Sequence, residues 1–178
     1  MLNNKNNDIL KILQEVCGEV IKSSRISNGL LVVDLLAEDI YFVVSLIKRD
    51  ERLDFPLLVD ISGVDYLEHK DGSILERFGV IYIFYSFVND LRIKIRAFVS
   101  ESNPEIHSIY NEYKGANWTE REVYDMFGII FKGHPDLKRI LMPENYGSHP
   151  LRKEYPVKGL GERSNFPKYN IYEKLKKD

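Results

Sequence analysis

The chemistry-bearing side chains of this chain crowd into one stretch, Asn117-Trp118-Thr119-Glu120-Arg121-Glu122-Val123-Tyr124-Asp125-Met126-Phe127-Gly128. Glu120, Glu122 and Asp125 lie within about two helical turns, close enough to be a general acid and base or part of a metal site. Either use needs more: a cleft for a substrate, or a second cluster of ligands. Glu120 and Glu122 are two residues apart, so on a helix they do not share a face. Glu122 has a sufficient structural task as well, because Thr119-Glu120-Arg121-Glu122 fits a capping box in which hydroxyl and carboxylate satisfy free amides reciprocally. Acids near a helix N-terminus also suit the macrodipole. A structural role is the expectation for these carboxylates.

The histidines are no better placed for metal chemistry. His134 and His149 each precede a proline, in Gly133-His134-Pro135-Asp136 and Ser148-His149-Pro150. Zinc sites prefer tight clusters, such as His pairs three to five residues apart. These two stand fifteen apart, without HExxH or CxxC. The expectation is that each imidazole bonds backbone at a proline-shaped turn or an interface. Gly159-Leu160-Gly161 lacks the third glycine, the preceding strand and the following helix of a dinucleotide-binding turn. The chain has no P-loop and no G-x-S-x-G nucleophile elbow. The single cysteine, Cys17, sits in an apolar helical pattern and reads as a core residue. One cysteine makes no internal disulfide, which fits a reducing compartment, and it cannot by itself hold an iron–sulfur cluster.

What remains is a set of anchors. Trp118, Arg121 and Arg139 are residue types that dominate interfaces, and the arginines can bind carboxylates in a bidentate manner. Alternatively, these residues pair among themselves and pin the following segment to the body. Residues alone leave both readings open.

The elements that must position these groups form an acidic body and a basic tail. Residues 1–131 carry 14 Lys and Arg against 21 Asp and Glu, whereas residues 132–178 carry 11 against 6. The net charge of −2 gives no electrostatic case for nucleic acid, and the longest apolar runs are far short of a membrane helix. The patterns predict a helix over Ile9–Cys17 capped by Asp8, and strands over Val20–Ile26 and Leu30–Leu35 turned at Ser27-Asn28-Gly29. A helix over Asp39–Lys48 and a short buried strand over Leu57–Ile61 follow. A hairpin is expected from Gly79–Phe87 and Leu91–Val99, in which Arg92, Lys94 and Arg96 face solvent or a partner. A third helix is expected between Pro104 and Gly115, and a fourth from Thr119 to Gly128. Strands and helices without strict alternation suggest an α+β two-layer domain with a mixed sheet and about four helices over residues 1–131. Residues 132–178 hold five of the seven prolines and little periodic apolar pattern, yet are rich in Tyr, Phe, Leu and Ile. They read as an extended docking tail laid across another protein.

The stretch Glu120-Arg121-Glu122, Asp125, Met126-Phe127, His134, Lys138 and Ile140-Leu141 resembles the signature of the 30-kilodalton subunit family of respiratory complex I. Gly133–Leu137, His149–Lys153 and Gly161–Pro167 resemble it too, the last of these its bacterial branch, and more weakly Asp60–Tyr66 and Arg77–Tyr85. Ser148 and Lys138 depart from its commoner glycine and arginine, and the tail ends early. The resemblance implies a subunit of the proton-translocating NADH:quinone oxidoreductase. It would lie peripherally on the cytoplasmic face of the membrane, packed against the quinone-reacting large subunit and the cluster-bearing subunits. It implies no cofactor in this chain, with flavin and iron–sulfur clusters on partner subunits and no catalysis by the chain alone. On that reading Trp118, Glu120, Arg121, Glu122, Asp125, His134, Asp136, Arg139, His149 and Arg152 are interface and assembly residues. Two rivals are an equivalent subunit of a membrane-bound hydrogenase or a ferredoxin- or F420-linked dehydrogenase, and a small metal-dependent enzyme using Glu120, Glu122, Asp125, His134 and His149.

Overall fold

The computed structural model describes residues 2–69, 72 and 74–160. Among these, three α-helices, α1 (Leu2–Cys17), α2 (Ile40–Arg49) and α3 (Ala116–Phe127), accompany seven strands. The strands are β1 (Ser23–Ser27), β2 (Leu30–Leu36), β3 (Leu57–Asp65), β4 (Phe78–Ser86), β5 (Leu91–Val99), β6 (Glu105–His107) and β7 (Ile130–Lys132). Five of them form one mixed sheet in the order β1-β2-β5-β4-β3, with only β2 and β5 parallel. β6 and β7 pair in parallel beside it. The class is α+β, as the sequence pattern predicted.

The local chemistry explains most boundaries. Asn28 and Gly29 both adopt left-handed backbone, φ 52° and 75°, which a two-residue hairpin turn with native twist requires. Asp90 (φ 48°) does the same at the β4–β5 turn. One continuous core joins Ile9 and Leu13 of α1, Val43 and Ile47 of α2, Val123 and Phe127 of α3, and the alternate strand residues Val33, Leu35, Val80, Phe84, Ile93 and Ile95. Cys17 is buried in that core, which pushes its thiol up to about 11 and leaves it unreactive. No described helix is long and apolar enough to cross a membrane.

Five expectations need correction. α1 begins at Leu2 rather than beyond Asp8, because Asn6 is buried and its side-chain amide donates to the Gly29 carbonyl at 2.9 Å. Asn6, and with it the first turn, is thus drawn into the helix by a tertiary contact. β3 is not a short buried strand; it is a nine-residue edge strand in which only Ile61 and Asp65 are buried. The solvent face of β5 is covered at Arg96, whose guanidinium pairs with the fully buried Asp34 of β2 at 2.6 and 2.7 Å. No helix follows Pro104: residues 105–107 are strand β6, and turns lead from it to α3. Finally, α3 starts at Ala116, so Thr119 lies inside it and donates back to the Ala116 carbonyl at 3.1 Å instead of forming a capping box.

Candidate functional site

α3 is the element that positions the signature residues, and two of its acids point inward. Gly128 ends the helix in the left-handed conformation, φ 74°. The side chain of Glu120 is sealed from solvent and accepts from the Ser108 hydroxyl at 2.6 Å and the Ile109 amide at 2.8 Å. That contact uses the backbone a helix over 104–115 would have needed, and it explains why none forms. Burial pushes the Glu120 carboxyl up to about 7 against those two donors.

Asp125, also sealed, does the opposite work. It accepts from the amides of Ile140, Leu141 and Met142 at 3.0, 2.7 and 2.9 Å and from Arg139 at 2.6 Å. Burial alone would raise this carboxyl, but the three amides and the guanidinium prevail and hold it below the usual carboxylate range. Three successive N–H groups converging on one carboxylate make an anion nest, here filled by the protein itself.

The strap that follows β7 then completes the end of α3. The last carbonyls of a helix lack partners within it. His149 Nδ1 lies 3.0 Å from the Asp125 carbonyl, the Leu151 amide donates to the Met126 carbonyl at 3.1 Å, and Arg152 donates to the Phe127 carbonyl at 2.6 Å. Arg139 adds bonds to the carbonyls of Asp125 and Ser148 at 3.2 and 3.1 Å. The two arginines also face the negative end of the helix dipole. The approach needs glycine at 128: a Cβ there would stand 2.5 Å from His149 and 2.8 Å from Arg152.

At the other end of α3, His134 Nε2 lies 3.1 Å from the Asn117 carbonyl, and its Nδ1 accepts the Asp136 amide at 3.1 Å. Arg121 donates to the carbonyls of Lys138 and Arg139 at 3.0 and 3.3 Å and covers the Trp118 ring at 4.8 Å. Trp118 itself remains 65% exposed. The Asp136 side chain is exposed and pairs with Lys138 at 2.7 Å, while Glu122 points to solvent. Of the ten residues singled out in the sequence, Glu120, Arg121, Asp125, His134, Arg139, His149 and Arg152 bond internally through their side chains, Asp136 joins through its amide, Trp118 through its ring contact with Arg121, and Glu122 stands outside. The histidines do bond backbone at their Pro turns.

A second anchor escaped the sequence reading. Asp65, at the end of β3, accepts from Arg77 at 3.1 and 2.9 Å and from the amides of Leu67 and Lys153 at 2.9 Å. Arg77 also bonds Glu154. Both lie in the stretches that carry the weaker resemblance, Asp60–Tyr66 and Arg77–Tyr85, but nothing in those stretches marks the two as partners. Among the described residues no three His, Cys, Asp or Glu side chains converge as a metal site.

Comparison with known proteins decides the family. A model described as "Respiratory-chain NADH dehydrogenase, 30 Kd subunit" matches residues 33–160, most of the chain. The chain belongs to that family, the 30-kilodalton subunits of complex I. The matched span takes in both α3 carboxylates, the anion nest and the strap. Among its relatives, the C subunit of the NADH-quinone oxidoreductase of Rhizobium rhizogenes is 40% identical over 156 residues, covering 88% of this chain and 75% of that protein. That of Roseiflexus sp. is 40% identical over 167 residues, 94% of this chain and 93% of the relative. The solved trypsin-resistant fragment (1-134) of Nqo5 superposes with a TM-score of 0.63 at 33% identity, over 72% of this chain and 98% of the fragment. A chain of the archaeal membrane-bound sulfane sulfur reductase shares the fold, with a TM-score of 0.68 at 17% identity over 98% of this chain and 92% of that one. Family membership makes the other subunits of NADH-quinone oxidoreductase the partners of this 30-kilodalton subunit.

Proposed function

We propose that this subunit serves the NADH:quinone oxidoreductase as a cofactor-free docking protein of the peripheral arm. On this reading it sits on the cytoplasmic face of the membrane, between the quinone-reacting large subunit and the cluster-bearing subunits. The isolated chain performs no catalysis, and flavin and clusters belong to its partners. The observation that carries the reading is how the signature is spent. Glu120 and Asp125, the two groups best suited to acid–base or metal chemistry, are sealed beneath the chain's own backbone and bonded to it. Glu120 is used to fix the turn at 108–109 and Asp125 to fix the strap at 139–142, and a rigid strap is a means of presenting a surface at low entropic cost on binding. Residues 132–178 then act as the docking arm of a 1–131 body, with Trp118 as its exposed anchor.

Affinity purification of the tagged chain from mild-detergent membranes tests this. Co-purification of flavin- and cluster-bearing NADH dehydrogenase subunits, with no metal or flavin on the chain when stripped from them, is the expected result. Recovery with hydrogenase-type subunits would move the assignment to that class. A chain recovered alone with stoichiometric metal would overturn the docking role.

A further inference from the structure

Glu120 has no structural need for a titratable group, since a glutamine could accept the Ile109 amide on its oxygen and donate from its nitrogen to Ser108 Oγ. Its surroundings nevertheless set it apart. The turn after β6 supplies Ser108 and the Ile109 amide, β4 supplies Tyr82, the first turn of α3 supplies Asn117, and the segment after β7 supplies His134. None of these is a cation in contact with the carboxyl. The nearest basic atom is His134 Nε2 at 4.0 Å, and both side chains are fully buried. The Tyr82 hydroxyl, which feels the Glu120 charge, is buried with no hydrogen-bond partner among the described residues, so this corner of the core already holds a polar group it does not satisfy.

We propose that Glu120 and His134 form a buried proton-operated latch, in which both side chains are neutral and leaving that state loosens the turn at 134–136 where the strap begins. The imidazole bonds specify its state. Nε2 faces the Asn117 carbonyl and therefore carries the hydrogen, whereas Nδ1 accepts the Asp136 amide and therefore carries none. Adding a proton places it on Nδ1 and abolishes the Asp136 bond. Removing the proton from Glu120 instead leaves a sealed carboxylate supported by one hydroxyl and one amide, with no cation to offset its desolvation. The 2.6 Å separation from Ser108 Oγ suits a hydroxyl on either oxygen.

The electrostatics agree in direction. Burial raises Glu120 to about 7, and no charged side chain contributes to that shift. Burial lowers His134; the Asn117 carbonyl and Asp136 favour its charged form, and Arg121 opposes it. Glu120 as a raised acid adds stability that is complete below its ordinary value of 4.5 and is lost as pH rises through about 7. His134 as a lowered base adds stability present above its ordinary 6.5 and lost as pH falls. Both side chains are neutral together above the lowered His134 value and below about 7.

Three readouts on the full chain test this. In wild type, infrared spectra at pH 6 should show the carbonyl band of a neutral carboxylic acid that disappears by pH 8.5 and is absent from Glu120→Gln. The ratio of folding constants, Glu120→Gln over wild type, should rise by nearly tenfold per pH unit between about 5 and 7. Amide protection at 134–136, corrected for intrinsic exchange, should peak just below pH 7. No acid band in wild type at pH 6, or a flat protection profile at 134–136, would overturn the latch, and both are read without a variant.

Discussion

Asp125 accepts four hydrogen bonds from one segment, so it sets the path of the strap more than any other side chain. Replacing it by alanine takes the ion-pair partner from Arg139, whose side chain is only 11% exposed, and leaves three amides without an acceptor. Asp125→Ala should cost about 3–5 kcal/mol, the usual penalty for breaking a buried pair from one side, read as a lowered unfolding midpoint and faster amide exchange at 140–142. The pH dependence has a definite sign. Asp125 and Asp65 are both lowered from an ordinary value of 3.8, so their contribution is complete above that value and lost as pH falls through the lower folded ones. Acid unfolding should therefore steepen below about pH 4, and Asp125→Asn should flatten part of that slope. Gly63 shows the opposite kind of constraint. A Cβ there would stand 2.4 Å from the Phe127 ring, so Gly63→Ala should destabilise by about 1–3 kcal/mol. Combining it with Phe127→Leu should cost less than the two changes summed, which thermal denaturation of the four-member cycle will show.

Among elements, the β2–β5 contact is the one parallel pairing in the sheet, and a buried ion pair marks it. Asp34 lies opposite Arg96 in that register and also accepts from Ser23 and Arg25 of β1, at 2.5 and 2.9 Å. One carboxylate thus ties three strands together. Its burial would raise it, but Arg96, Ser23 and Arg25 hold it below the usual range. Asp34→Ala should destabilise by about 3–5 kcal/mol because it leaves Arg96 buried and unpaired, whereas Asp34→Leu with Arg96→Met should recover much of that loss in chemical denaturation. The expected helix after Pro104 failed at this scale. Its residues have adequate helix propensity, but Glu120 takes the Ile109 amide and β7 pairs with β6, so the segment gains more bonds elsewhere. The unforeseen early start of α1 has the same origin in the Asn6 contact with the β1–β2 turn.

For the whole molecule, the strap is held at two places, α3 and the Asp65–Arg77 pair, across the edge of the sheet. Arg139 and Arg121 hold it differently. Arg139 is buried against Asp125 and Ser148, whereas among the described residues Arg121 donates to strap carbonyls and covers the exposed Trp118. Arg139→Ala should therefore lower the melting temperature of the free chain and its incorporation into the complex together. Arg121→Ala should leave the melting temperature nearly unchanged and reduce incorporation, as measured by native gels of detergent-solubilised membranes. Equal assembly of both variants at wild-type levels would remove these arginines from the docking surface.

The amino-acid sequence by itself determined much of this protein. Alternating apolar residues specified the β4–β5 hairpin, Asn28-Gly29 and Gly128 specified a turn and a helix end, and the spacing of Glu120, Asp125, His134 and Ile140-Leu141 specified the family. Those features are local, fixed by dihedral preference or by residues within a few positions of one another. What only the tertiary structure decided was where the charges go. Asp65 meets Lys153 across 88 positions of chain, Arg96 meets Asp34 across 62, and Glu120 meets Ser108 on a segment whose own pattern favoured a helix. Hydrogen bonds of that range leave no periodicity in a sequence, because their partners are chosen by the packing of β3 against α3 and of β2 against β5. A buried charge must find a partner wherever the fold brings one, and that requirement, rather than local propensity, shaped the strap.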